Sequence, residues 1–309
     1  MKTIAGCTFR VDTGKSSLLP HASASMPSLD LRSGEVAQVP LEVELARSFT
    51  TARSLPAVLS ISLDGVLFAD GSSYGPDTLH SLRTLSRAEA ENRHERQYLT
   101  SLLRAGRLAD IRQELNFGLP DTPLSLAVSV LPTVSSASSG EGGAKRIKLT
   151  SLPVPNAPAE AVGGEADLLN DGLSAPAVVL RNVSAKTILS ASIAFLVRDE
   201  QANEFVAADL PEQTGILPGK QTKIQESGFV RLSRTKGPPL EIRAVAVLVT
   251  SVEFADGTVW VPDRAEIDAA TANPELRRLL SDSPERQRLA GIFRRDGINA
   301  VTAELRKLE

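Results

Sequence analysis

Apolar positions along the chain follow two rhythms. Residues 188–197 alternate apolar and small side chains, and residues 177–180 and 241–254 are rich in β-branched types, as half-buried strands require. Gln221 to Leu232 reads as a further strand. It follows the turn Leu217-Pro218-Gly219-Lys220, where Pro fixes φ and Gly supplies a positive one. Near the C-terminus the period lengthens. Leu289, Ile292, Phe293, Ile298, Val301 and Leu305 recur at helical spacing, and so do Leu99, Leu102, Leu103, Leu108, Ile111 and Leu115. Asn273-Pro274 and Ser283-Pro284 carry the N-cap and first-turn Pro signature of helix starts, and Asp296-Gly297 predicts a break or kink in the last helix.

These two helical stripes belong to an internal repeat. Phe68-Ala69-Asp70-Gly71-Ser72 returns as Phe254-Ala255-Asp256-Gly257-Thr258, with Tyr74, Pro76 and Asp77 opposite Trp260, Pro262 and Asp263. Lys2-Thr3-Ile4 matches Lys186-Thr187-Ile188, Ser33-Gly34 falls opposite Pro218-Gly219, and Glu95-Arg96-Gln97 and Glu114-Leu115 match Glu285-Arg286-Gln287 and Glu304-Leu305. The offset grows steadily along the chain, as small loop insertions produce, so residues 2–116 and 186–306 form two copies of one unit.

Both copies contain a strand whose apolar parity switches midway. Leu59, Ile61 and Leu63 give way to Val66 and Phe68; Val245, Val247 and Val249 give way to Val252 and Phe254. One extra residue flips a strand's face, so the pattern predicts a β-bulge at Asp64-Gly65 and at Thr250-Ser251. Asp70-Gly71 and Asp256-Gly257 predict two-residue hairpin turns of type I′.

Short strands broken by Pro/Gly turns, followed by helices, indicate a mainly β fold: two tandem immunoglobulin-like antiparallel sandwiches, each with a helical tail. The run Pro132–Ala144 has the composition of a flexible linker. The expected domains are residues 1–132, a Ser/Gly-rich linker at 133–144, and residues 145–309. The second copy is preceded by Ala177–Leu180, whereas only Met1 precedes Lys2. The alternating run Leu124–Leu131 is therefore expected to fill the vacant place in the first sandwich as a circular permutation; the alternative is a truncated or misassigned start.

The second copy resembles bacterial immunoglobulin-like modules of the FxLyD type. The resemblance rests on Asn182-Val183-Ser184-Ala185-Lys186-Thr187-Ile188, then Phe195-Leu196-Val197-Arg198-Asp199, then Leu217-Pro218-Gly219-Lys220. Val197 and Arg198 stand where that family has Leu and Tyr, and the helical tail lies outside its pattern. The resemblance implies a sandwich without an active site, from an exported or envelope protein; a cytoplasmic location is the alternative.

Composition narrows the classes. The 309 residues are 42% hydrophobic and 23% charged with a net charge of −3, ordinary for a folded protein and without the basic field of a nucleic-acid binder. No apolar run reaches the ~18 residues of a membrane-spanning helix. One cysteine, Cys7, excludes an intrachain disulfide and a cysteine metal cluster. The histidines His21, His80 and His94 are not kept between copies. No metal or other cofactor is expected.

Several segments invite a chemical reading. Asp12-Thr13-Gly14-Lys15-Ser16 has the end of a phosphate-binding loop, but Phe9 occupies the position of its first glycine. Ile4-Ala5-Gly6-Cys7 has a lipobox form without the preceding apolar stretch, so Cys7 reads as a small buried strand residue. Asp70, Asp256, Asp77 and Asp263 read as turn and helix-cap residues. Arginines 83, 87, 93, 96, 104, 107 and 112 share their helices with Glu and Asp, a solvated mixed-charge face. Asn182-Val183-Ser184 is a formal sequon.

Tyr74 and Trp260 are the candidate binding residues. They anchor the following helix, or they stack on a sugar at the sandwich rim. The leading expectation is a non-enzymatic interaction or structural protein whose partner is another protein or an envelope component. A carbohydrate-binding module at Tyr74 and Trp260 is the alternative, and a hydrolase with an inter-domain site comes third.

Overall fold

A computed structural model of the chain describes residues 2–12, 21–38, 60–79, 81–117, 126–131, 145–169, 172–202, 204–225, 229–234, 241–281 and 283–307. It divides into two compact units, residues 1–93 and 94–309. The fold is mainly β, with three sheets and helices.

The first unit is one sheet and the start of a helix. Strands β1 (Ile4–Asp12), β2 (His21–Met26), β3 (Ser60–Phe68) and β4 (Ser73–Tyr74) pair in the order β2-β1-β3-β4. Helix α1 (Leu82–Arg104) begins here, and its first turns pack Leu82 and Leu85 on Ala5 and Leu67. Glycine allows this approach: a Cβ on Gly65 would lie 2.7 Å from Leu82, and one on Gly6 would lie 2.8 Å from Leu85. Among the described residues the first unit contributes one sheet rather than a pair.

The second unit continues α1 and adds α2 (Leu108–Phe117), then β5 (Leu126–Leu131), β6 (Lys145–Lys148), β7 (Thr150–Ser151), β8 (Ala159–Leu169), β9 (Gly172–Asn182) and β10 (Ile188–Asp199). It goes on through β11 (Glu204–Ile216), β12 (Gln221–Gln225), β13 (Phe229–Arg234), β14 (Ile242–Phe254) and β15 (Val259–Trp260). It ends with α3 (Arg264–Ala270), α4 (Pro274–Ser281) and α5 (Pro284–Arg306). One sheet runs β11-β10-β14-β15, with β7 beside β14; the other runs β5-β13-β9-β8-β6, with β12 beside β9. Val178 and Leu180 of β9 share one core with Ile193, Phe195, Val245, Val247, Val249, Val252 and Phe254. The outer face of the first of these sheets is apolar too: Ala194, Leu196 and Leu248 are covered by Val154 and by Leu276 of α4.

The strand expected to complete the first sandwich pairs elsewhere. Leu126–Leu131 runs antiparallel to β13, with Leu131 opposite Phe229 and Leu126 opposite Arg234, so the circular permutation does not occur. Alternation identifies a strand but not the edge that receives it. Residues 124, 125 and 132–144 lie outside the described residues.

Both predicted bulges are present. Gly65 faces Thr8 and Leu63 faces Phe9, which leaves Asp64 as the extra residue; Ser251 faces Ser192 and Val249 faces Ile193, which leaves Thr250. A second matched pair follows, with Ala5 extra between Ile4 and Gly6 and Leu189 extra between Ile188 and Ser190. The hairpin turns differ from expectation. Gly71 N–H donates to the Phe68 carbonyl and Phe68 N–H to that of Ser72, and the same bonds link Gly257, Phe254 and Thr258. The loop is thus three residues, a tight turn closed by a left-handed glycine (φ 82° at Gly71, 79° at Gly257), rather than a two-residue type I′ turn. The Asp precedes that glycine and stays at negative φ, which suits its role as a side-chain acceptor.

Candidate functional site

Each hairpin is fastened the same way. The Asp70 carboxylate accepts from the Ser72 amide (3.0 Å) and hydroxyl (2.6 Å) and pairs with Lys2 at 2.9 Å. Asp256 accepts from the Thr258 amide (3.0 Å) and hydroxyl (2.6 Å) and pairs with Lys186 at 2.7 Å. Lys2 lies 5.4 Å from the Phe68 ring centre, and Lys186 lies 5.2 Å from that of Phe254. The Ser72 and Lys2 donors hold the Asp70 carboxyl down at about 2, and Lys186 and Thr258 hold Asp256 low as well. These carboxylates are therefore committed to turn chemistry.

Tyr74 and Trp260 occupy matched places, opposite Val66 and Val252, yet their surroundings differ. Trp260 is half-buried and packs against both apolar clusters that flank its sheet. Tyr74 is 73% exposed. Ile61 and Leu63 are 51% and 52% exposed, whereas Val247 and Val249, their counterparts, are 1% and 3% exposed. By pleat and bulge, Ile61, Leu63 and Tyr74 share one face of the first sheet.

The Asp77 and Asp263 positions also diverge. Asp263 caps α3 through a reciprocal capping box with Glu266. Asp77, at φ 45°, accepts from the Leu82 amide, and its own amide donates to the carbonyl of the bulge residue Asp64. The Asp64 side chain takes the amides of Thr78 and Leu79 and the Thr78 hydroxyl. Burial pushes this carboxyl up, but those donors and the Arg10 charge outweigh it and hold it below its ordinary value. The bulge in the first sheet thus fastens the approach to α1.

Among the described residues a dense polar cluster lies where the helical tails meet. Leu99, Leu102, Ile111 and Leu115 form one core with Leu289, Ala290, Val301 and Leu305. Each tail covers the other's stripe. Gly297, at φ 79°, breaks α5 as expected, and Gly106 turns the chain between α1 and α2. At the rim, Arg286 contacts Glu114 at 2.7 Å and lies 3.8 Å from Glu95, and Arg264 contacts Glu114 at 2.7 Å. Tyr98 donates to Glu114 and lies under the Arg264 guanidinium. Burial drives the Glu95 carboxyl up to about 7 despite Arg286 and Arg264, with Glu114 and Glu285 adding repulsion. In the sequence Glu95, Glu114 and Arg286 stand out only as matches between the two copies. Their spacing on the apolar faces was the available signal.

Cys7 is a buried strand residue whose thiol burial raises to about 11. Asp12 ends β1, and residues 13–16 and His80 lie outside the described residues. Asn182 is buried; its amide nitrogen donates to the Lys186 and Ile216 carbonyls, so the sequon is a turn organiser. Among the described residues no group of His, Cys, Asp and Glu has metal-binding geometry, and no helix is long and apolar enough to cross a membrane. Neither a family of known proteins, nor a curated protein sequence, nor a solved structure matches the chain.

Proposed function

We propose that this is a non-enzymatic interaction or structural protein, built on immunoglobulin-like sandwich modules and working in a bacterial envelope or exported setting. The observation that carries the reading is the group of exposed apolar side chains along β3 and β4, on a face of the first sheet whose other positions, Val11 and Val66, are buried. Ile61, Leu63 and Tyr74 stand in solvent where the matched residues of the second sheet lie under a second layer or beside it. Large apolar side chains gathered on one face are the mark of a partner surface. The envelope setting rests on the FxLyD resemblance alone.

A photo-crosslinking amino acid in place of Tyr74, introduced in the source cells, tests this. The expected outcome is a dominant protein adduct, identified by mass spectrometry and lost on Leu63→Asp. Absence of any adduct, or one indifferent to Leu63→Asp, overturns the reading. The exposed Tyr74 ring also supports a glycan-stacking reading. That reading has one aromatic rather than two, because Trp260 is half-buried; a glycan array comparing the wild type with Tyr74→Ala decides it.

A further inference from the structure

The two sheets differ at one edge. In the second unit the edge of β14 is closed by β7, which runs parallel to it, with Thr150 beside Ala246 and Ser151 beside Val247. The Leu152 amide donates to the Val247 carbonyl at 2.9 Å, and the Thr150 hydroxyl donates to the Val245 carbonyl. The side chains of this capping segment divide between two faces. Leu149 enters the core between the sheets, and Leu152 packs on the outer face with Leu248 and Leu196.

The matched edge in the first unit is β3 over Ser60–Leu63. Among the described residues no strand pairs with it on the side away from β1. Ile61 corresponds to Val247, so its amide and carbonyl point to the open side, and its ladder to β1 runs through its neighbours. The inner face here is still apolar, with Ile61 and Leu63 exposed. The outer face has changed character. Where the second sheet has Ala246 and Leu248 opposite Leu196 and Ala194, the first has Ser60 and Ser62 opposite Asp12 and Arg10.

We propose that the β3 edge over Ser60–Leu63 is a docking site for an extended peptide of a partner protein. It adds as a short parallel strand, with an apolar side chain on the Ile61 and Leu63 face and a polar one on the Ser62 face. The main-chain bonds supply affinity, and the two faces supply specificity. The occupant follows from the chain's own solution to the same edge: Leu-Thr-Ser-Leu at 149–152, with the final Leu replaced by a polar residue because its contact surface is polar in the first sheet. This rests on the interaction reading above and names its partner class.

The test uses the full chain and a synthetic peptide with the sequence of residues 147–154 carrying Leu152→Gln. Backbone amide resonances of the protein are followed up to millimolar peptide. Saturable shifts centred on Ile61, Ser62 and Leu63 are expected, along with weaker binding of the unaltered Leu152 peptide. N-methylation of the Gln amide should weaken binding roughly tenfold, the loss of one strand hydrogen bond and its geometry. Ile61→Pro, which removes the outward amide, should do the same, and Ile61→Val should restore binding. Unchanged resonances elsewhere show that Ile61→Pro folds. No saturable shift, shifts centred on another surface, indifference to N-methylation, or concentration-dependent shifts without peptide, which would mean self-pairing, each overturn the proposal. A Tyr74 adduct in cells together with a silent peptide titration sinks strand addition and leaves the interaction reading standing.

Discussion

The sheet built on β1 and β3 and the sheet built on β10 and β14 are the same backbone in different company. Both run in the same strand order, carry two bulges at matched places, and end in a hairpin pinned by Lys and Asp. What differs is cover along the β3 and β14 edge, since Val11 beside Ile61 is buried. Val247 and Val249 lie under a second sheet, and the outer face beside them lies under α4, whereas Ile61 and Leu63 meet solvent. Bulges and turns are written in a few neighbouring residues and survive the change of surroundings. Burial is decided by whatever segment arrives from elsewhere in the chain.

The largest test of that contrast is a matched pair of charges. Val247→Asp should cost about 4 kcal/mol or more in a urea titration, since it buries an unpaired carboxylate. Ile61→Asp at the equivalent position should cost less than about 0.5 kcal/mol, as surface changes do. Equal losses would mean that the two faces are equally covered.

Next comes the helical junction, which has no such asymmetry because each tail is the other's cover. Arg286→Ala leaves Glu114 with Arg264 alone and removes the cation 3.8 Å from Glu95; it should cost about 3–5 kcal/mol, by analogy with other broken buried pairs. Leu289→Asp in the adjoining core belongs to the same range.

The third test is pH. Glu95 ionises in the folded protein near 7, above its ordinary value of 4.5. Its contribution therefore favours the fold fully below about 4.5, and that advantage is lost as pH rises through about 7. Glu95→Gln should flatten this part of the profile and stabilise the protein at pH 8 relative to wild type, by about 2–3 kcal/mol. A parallel wild-type and variant profile from pH 5 to 8 would show that Glu95 ionises freely.

The smallest effect is expected at the hairpins. Asp70→Asn and Asp256→Asn should each lower the melting temperature slightly and by similar amounts, because both carboxylates are exposed and similarly fastened. Their contribution is present above the ordinary Asp value and fades as pH falls toward about 2 at Asp70.

Much of this was legible in the sequence for a physical reason. The parity switches at Asp64 and Thr250, the Gly297 break and the Ser283-Pro284 start are set by residues next to one another. Strand β8 left no such trace. Its Ala159, Ala161 and Ala166 are core residues, and Gly164 sits where a Cβ would come within 2.7 Å of the Ala177 carbonyl, so close packing against β9 selects small side chains over β-branched ones. The alternation of β5 is satisfied by any apolar edge, so it does not specify β13 as the partner. The site was legible only as isolated residues. Tyr74 and Trp260 look alike in sequence, and only their neighbours separate an exposed ring from a half-buried one.

The pairing of β5 with β13 has a temporal consequence. During synthesis Leu126–Leu131 leaves the ribosome about a hundred residues ahead of Phe229–Arg234, its partner. At roughly 5–20 residues per second that interval lasts about 5–20 s. For that time an apolar strand has both edges open, the condition under which nascent chains find one another instead of themselves. The first sheet, whose described strands lie within residues 4–74, can complete its pairing early. The C-terminal half of the chain must arrive before β5 is safe, and production of this protein should respond to translation speed and to holdase chaperones through that one strand.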